Sequence, residues 1–212
     1  DCTLVRCNPE IDENACGLLQ MEHSVPSEIL YAAYWYRSGT NNTMRNHLKD
    51  IVDSVIDTMS TVKHPSVLDI GCNDGTLLGY YPKHYIKYGC DPSDVAQEVK
   101  EATVVQDIFP SEELFKILEG KKLDVITSIA MFYDLPDPIA FLNEVYSVLK
   151  DDGLFVVQMS YTPLMIQQMA FDNICHEHVY YHSLTSIQNL FKQHGMMIVD
   201  ANVNDTNGGS IR

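Results

Sequence analysis

An apolar strand that runs into glycine and then into a helix lets backbone close around a ligand, and Val67-Leu68-Asp69-Ile70-Gly71-Cys72-Asn73-Asp74-Gly75 has that form. Gly71 keeps a side chain out of the ligand's way, and Gly75 relieves crowding where the turn enters the helix. Asp69 puts negative charge at the loop, which suits an ammonium group and repels a pyrophosphate. Asp91 follows as the end of the second strand, where a carboxylate accepts from both ribose hydroxyls. Gln106-Asp107-Ile108 ends the third, pairing a polar group for an adenine amine with an apolar one for its ring. The expected nucleoside site is therefore Asp69, Gly71, Asn73, Asp91, Asp107 and Ile108. A nicotinamide dinucleotide is disfavoured because Asn73 and Thr76 stand at the second and third glycines of G-x-G-x-x-G.

A second set of residues offers acid-base chemistry. His178 is the candidate base, since imidazole titrates near neutral pH, and Glu177 beside it is expected to orient it or a sugar hydroxyl. Asp134 follows the fourth strand and is expected to face the reacting end of the cofactor. His178 and His182 would share a helical face, but Glu177 precedes His178, so the zinc-peptidase pattern H-E-x-x-H is missing; His176 and His182 read as structural. Tyr31, Tyr34, Trp35 and Tyr36 form an aromatic cluster, and the adjoining Arg37, Ser38 and Asn41 mark a substrate-binding loop. Arg37 or Arg45 is expected to meet a diphosphate or a carboxylate, for which the planar guanidinium fork is suited.

The elements that must carry these groups alternate short apolar runs with amphipathic ones from Leu68 onward, as in an open parallel sheet. Strands are expected at Ser66–Ile70, Tyr85–Cys90, Thr103–Gln106, Leu123–Ile129 and Leu154–Met159, and another at Met197–Asn202. Helices are expected at Met44–Met59, led by Thr40 and Asn41, at Leu77–Tyr81 and Val95–Ala102, at Pro138–Leu149, closed by Asp151-Asp152-Gly153, and at Leu184–His194, stopped by Gly195. The 44–59 helix is expected to lid the site, and Met165, Met169, Met196 and Met197 to pack in the interior. The fold class is α/β, a doubly wound Rossmann-like sheet with helices on both faces.

Asp and Glu number 29 against 14 Lys and Arg, a formal charge of −15 that repels nucleic acid and anionic lipid. No apolar run approaches membrane-spanning length, residues 1–6 do not form a signal peptide, and the expected location is cytoplasmic. The six cysteines lack regular spacing, which disfavours a disulfide scaffold. The absence of an initial Met and the turn-into-strand pattern of Gly208-Gly209-Ser210-Ile211-Arg212 point to a piece of a longer protein.

Tyr36-Arg37-Ser38-Gly39-Thr40-Asn41, Leu68–Gly75, Phe171-Asp172-Asn173-Ile174-Cys175-His176-Glu177-His178 with Tyr181, and Gly208–Arg212 resemble, in order, the sugar C-methyltransferases of deoxysugar biosynthesis. The resemblance implies an S-adenosylmethionine domain at residues 31–212 on a class I methyltransferase sheet, preceded at 1–30 by the remnant of a zinc-binding module, with the flanking domains of the parent chain missing. Cys7 and Cys16 look like the last cysteine pair of that module, but eight residues separate them where the family has two. The earlier pair is absent, so zinc is expected only in a longer chain. The implied substrate is a nucleotide-linked 4-keto-6-deoxysugar, methylated on the carbon beside the ketone through a base-generated enolate. Tyr36 is implicated as a donor to the enolate oxygen, and Tyr181 as a substrate residue. Some members carry His where Asp134 stands here. The alternatives are an O- or N-methyltransferase acting on a small molecule, and a module that binds the cofactor without turnover.

Overall fold

The computed structural model describes residues 2–13, 15–30 and 35–212. In chain order the strands and α-helices are β1 (Leu4–Arg6), β2 (Leu19–Met21), α1 (Ser27–Leu30), α2 (Asn42–Thr58), β3 (Ser66–Ile70), α3 (Thr76–Tyr80), β4 (Ile86–Cys90) and β5 (Thr103–Val105). They continue as α4 (Glu112–Leu118), β6 (Leu123–Ile129), α5 (Pro138–Val148), β7 (Leu149–Ser160), α6 (Thr162–Gln168), β8 (Tyr180–Tyr181), α7 (Leu184–Gln193), β9 (Val203–Asn204) and β10 (Ser210–Ile211). A seven-stranded sheet has the order β5-β4-β3-β6-β7-β10-β9, and a second, three-stranded sheet the order β1-β2-β8.

The chain forms two compact units. One comprises residues 31–128 and 147–156. Here β3 pairs in parallel with β4 and β6, and β4 in parallel with β5. The chain winds outward from β3 through β4 to β5 and then returns to place β6 on the opposite side of β3, which makes the C-terminal ends of β3 and β6 the switch point where such sheets bind ligands. Val67, Leu68, Val125 and Ile126 are fully buried, as unbroken apolar runs in a parallel sheet should be. The α2 helix turns Leu48, Ile51, Val52 and Val55 inward, and Asn41 caps it by accepting from the Thr43 amide at 2.8 Å.

The other unit comprises residues 1–30, 129–146 and 157–212. Residues 2–30 thus cluster with later segments, and the link is explicit: Leu19 and Gln20 of β2 pair antiparallel with Tyr181 and Tyr180 of β8. Met21, Met165 and Tyr181 are the buried centre of this region, with Leu4, Leu19, Ala170 and Ile174 against them. A ring cluster of Phe132, Phe141, Phe191 and His182 forms its other apolar focus.

Several local expectations are corrected. Val95–Ala102 is not a helix: a 3-10 turn covers Asp94–Glu98 and Val99 is extended, its side chain filling the space beside Gly75. Asp151-Asp152-Gly153 lies inside β7 and does not close α5, because Leu149 already begins the strand. Met197–Asn202 is not a strand; Met197 and Val199 are exposed, and of this run only Asn202, just before β9, pairs, exchanging backbone bonds with Arg212. Met169 is exposed as well, at the left-handed cap of α6, so neither it nor Met197 fills the interior. His178 lies in a loop and His182 just beyond β8, so they share no helical face. Among the described residues no helix is long and apolar enough to cross a membrane.

Candidate functional site

In the first unit, the Gly71–Gly75 turn is built from left-handed residues: Gly71 at φ 75°, Asn73 at 50° and Gly75 at 74°. At Gly75 a Cβ would lie 2.7 Å from the Val99 side chain, so both conformation and space demand glycine. The turn is tied back to β4, with the Gly71 amide donating to the Cys90 carbonyl at 2.8 Å and the Asn73 amide to Asp91 Oδ2 at 2.9 Å. Asp91 Oδ1 accepts from the Ser93 amide at 2.8 Å and from the Ser93 hydroxyl.

Asp69 is buried at the end of β3 and accepts from Thr127 Oγ1 at 2.6 Å across the switch point. Burial raises its pKa to about 7 against the lowering effect of the Thr127 hydrogen bond, with the nearby Asp91 charge adding to the rise. A buried acid poised in this way favours a cation at its side. Asp107 and Ile108 are exposed at the end of β5, and Gln106 donates to Asp94 Oδ1 at 2.8 Å.

The predicted substrate loop is docked on this turn. Asn73 Nδ2 donates to the Tyr36 carbonyl at 2.9 Å, and its Oδ1 accepts from the Ser38 amide at 2.9 Å. Asp74 Oδ2 accepts from the Gly39 amide at 2.8 Å while Oδ1 accepts from Thr76 Oγ1 at 2.6 Å. Burial, with the Asp74 charge second, pushes the Tyr36 phenol above its usual range, so it stays a proton donor. Arg37, expected to reach a diphosphate or carboxylate, forks onto Glu98 at 2.7 to 3.2 Å. Arg45 donates to the Gly39 carbonyl at 2.6 Å. Tyr31 and Tyr34 lie outside the described residues, and Trp35 is 80% exposed.

In the second unit, His178 lines a small pocket of about 10 Å³ with Tyr133, Ser160, Thr162, Met165, Asn173, Tyr180 and Tyr181. His178 Nδ1 sits 2.9 Å from the Asn173 carbonyl. A carbonyl can only accept, so Nδ1 is the donor of this bond, and Nε2 is the ring nitrogen left to face a ligand. The Tyr133 ring meets the imidazole edge to face at 4.6 Å, and the Tyr181 hydroxyl donates to the same Asn173 carbonyl at 3.4 Å. Burial pushes Tyr181 up to about 12. Thr162 Oγ1 is buried at this pocket without a hydrogen-bond partner, a group left for a ligand to satisfy. Glu177 is exposed, and the contact that orients His178 is the Asn173 carbonyl. Asp134 is half-buried in the 3-10 turn Phe132–Asp134.

Cys7 Sγ accepts from the Cys16 amide at 3.3 Å, and both cysteines are free. Among the described residues no cluster of three His, Cys, Asp or Glu side chains gathers to hold a metal. His176 lies 3.8 Å from Cys2 Sγ, and His182 is fully buried against Phe132.

Sequence reasoning missed Asp74, Tyr133, Thr162 and the Asn173 carbonyl. Tyr133 stood next to the flagged Asp134, and Asp74 lay inside the flagged loop. A backbone carbonyl leaves no signal in residue types.

A family model described as a methyltransferase domain matches residues 43–201. The chain belongs to that methyltransferase domain family. A relative, the C-methyltransferase NovU of Streptomyces niveus, is 27% identical over 209 residues, covering 92% of this chain and 48% of NovU; the chain thus spans about half that relative's length. Magnesium protoporphyrin IX methyltransferase ChlM from Synechocystis PCC 6803, solved with bound SAH, superposes with a TM-score of 0.60 at 17% identity, over 81% of this chain and 85% of that one. YcgJ from Bacillus subtilis gives 0.59 at 19% identity, over 75% and 73%. These likenesses place the methyltransferase in the class I fold, the α/β arrangement expected from its sequence.

Proposed function

We propose that this methyltransferase uses S-adenosylmethionine to place a methyl group on the carbon beside the ketone of a nucleotide-linked 4-keto-6-deoxysugar. The observation that carries the reading is His178, lining a pocket with Nδ1 tied to the Asn173 carbonyl, which leaves Nε2 as the nitrogen that can serve as the base. A methyl transfer to oxygen or nitrogen needs no base strong enough for a C–H bond, whereas transfer to carbon does. The similarity to NovU, a C-methyltransferase, supports the same choice.

The residues present fit the cofactor. Asp69, buried and close to neutral in the free protein, would hold the α-ammonium; Asp91 would take the ribose, with Asn73 beside it; Asp107 and Ile108 are exposed for the adenine. Gly71 and Gly75 keep the turn free of side chains. When bound, the cofactor supplies an electrophilic methyl carbon on a sulfonium that leaves as a neutral thioether.

His178 Nε2 removes the proton from the carbon beside the ketone, and the bonding pair moves to the oxygen as an enolate. Tyr36, kept protonated by burial, donates to that oxygen. Thr162 Oγ1 offers a sugar oxygen the hydrogen bond its burial otherwise denies it. Asp134, Glu177 and Tyr181 are the further proposed acceptor residues of the unit that holds His178, with Tyr181 also bonded to the Asn173 carbonyl; Arg37, Ser38 and Asn41 are those proposed on the segment docked on the glycine turn, with Arg37 and Asn41 also held by internal bonds. Zinc at Cys7 and Cys16 would belong to a longer chain.

Deuterium exchange tests the reading. In D2O, without methyl donor, a nucleoside-diphosphate 4-keto-6-deoxyhexose should gain deuterium beside the ketone, and His178→Asn should slow this about a hundredfold or more. Equal exchange by the variant would remove His178 as the base.

A further inference from the structure

The segment bearing Tyr36 has little regular structure of its own: its nearest element is a single 3-10 turn at Ser38–Thr40. A hydroxyl meant to stabilise an enolate oxygen must nevertheless be held to within a fraction of an ångström. Three backbone groups of this segment are fixed by two consecutive side chains of the glycine turn: Tyr36 O and Ser38 N by Asn73, and Gly39 N by Asp74. Both faces of the Asn73 amide are used, so its orientation is set by its partners. Asp74 is in turn held by the Thr76 amide and hydroxyl at the start of α3.

Gly39 shows how close the approach is. A Cβ there would lie 2.7 Å from Thr76 Oγ1 and 2.9 Å from Asp74 Oδ2. Its φ is not in the left-handed region, so the need for glycine comes from proximity and not from backbone conformation.

We infer that Asn73 and Asp74 are positioning residues for Tyr36, acting as a clamp that makes the acceptor-binding segment and the cofactor turn one mechanical piece. This rests on the reading of residues 69–75 as the cofactor turn and of Tyr36 as a group that meets the acceptor. Asp74 then touches neither ligand, and its effect on turnover passes through Tyr36. The clamp also makes the turn's left-handed geometry at Asn73 a condition for placing the phenol.

Three variants of the full chain separate this from a merely structural role. Asp74→Ala removes the acceptor for Gly39, Asp74→Asn keeps one oxygen for it, and Gly39→Ala disrupts the same contact from the other side while leaving the turn's own residues intact. Expected for Asp74→Ala and Gly39→Ala alike are loss of hydrogen-exchange protection at residues 38 and 39, SAH affinity within about threefold of wild type, and kcat lowered about tenfold to a hundredfold. Asp74→Asn should recover most of both protection and kcat. Protection lost with kcat unchanged, or SAH affinity falling in step with kcat in both disruptive variants, overturns the inference. If wild type binds no SAH, the cofactor reading fails, while unchanged exchange at residues 38 and 39 in the two disruptive variants would separately refute the clamp.

Discussion

The Asp69 carboxyl is where the cofactor reading becomes quantitative. Its pKa in the free protein is about 7, set first by burial. A bound α-ammonium would favour the ionised form, so binding should drive a proton off Asp69. With a free value of about 7 and a bound form that stays ionised across the interval, the ionised fraction of the free protein falls from about 0.5 at pH 7.0 to about 0.03 at pH 5.5. SAH affinity should therefore weaken about 16-fold over that interval, about 1.6 kcal/mol. The ligand's own amino group is protonated throughout most of this range, so the effect belongs to the protein. Calorimetry at both pH values supplies the affinities, and repeating the pH 5.5 titration in buffers of different ionisation enthalpy counts protons, with about one released per SAH. Asp69→Asn should bind more weakly at pH 7.0 and lose the slope. A wild-type affinity that is level between the two pH values, or an Asp69→Asn variant with the same slope, would refute the assignment of Asp69 to the ammonium.

His182 should be visible in stability. It is fully buried, its ring nitrogens lack partners, and burial lowers its pKa from 6.5 to about 4. The unfolded chain binds the extra proton between those values, so the contribution is intact above pH 6.5 and is lost as pH falls toward 4, about 3 kcal/mol in all. Asp69 shifts the other way, so stability from its protonation is lost as pH rises from 3.8 to about 7. The difference between wild type and His182→Leu in urea unfolding at pH 7.5 and 4.5 isolates the histidine, and a constant difference would contradict its burial as a neutral ring. Gly75→Ala, placing a Cβ 2.7 Å from Val99 at φ 74°, should cost about 1 to 3 kcal/mol and lower the melting temperature by several degrees; an unchanged melting curve would show that the turn yields. Thr162→Val, which removes a hydroxyl that has no internal partner, should leave stability unchanged or slightly raised while increasing KM for the acceptor.

The strands flanking the switch point were legible residue for residue. Ser66–Ile70 and Leu123–Ile129 are short, mostly apolar runs buried on both faces, and their polar members Asp69, Asp124, Thr127 and Ser128 are buried with the rest. Where tertiary contacts decide, local patterns misled. Asp151-Asp152-Gly153 has the chemistry of a turn yet runs within β7, and of Met197 to Asn202 only Asn202 finds a backbone partner, Arg212, with the strand itself confined to Val203–Asn204. The α4 helix went unread although Ser111 caps it and two glutamates follow.

The same division holds at the site. Asp69, Gly71 and Asp91 advertise themselves by residue type at strand ends, and each sits at the turn they were assigned to. Asn41, read both as a ligand-binding group and as the lead of the following helix, caps α2, whereas the ion pair that occupies Arg37 with Glu98 is one no spacing reveals. Asp74 has the converse history. Beside Gly75 it reads as an ordinary turn aspartate, and its partner Gly39 lies 35 residues away in sequence.

The most direct test follows a carbon-13 methyl group. With S-adenosylmethionine labelled on the methyl carbon and a nucleoside-diphosphate 4-keto-6-deoxyhexose as acceptor, the product's new methyl carbon should couple to a ring carbon beside the former ketone, seen as a one-bond carbon–carbon coupling by NMR on a ring-labelled sugar. Label that resides on oxygen or nitrogen, or cofactor bound with no transfer at all, would contradict C-methylation.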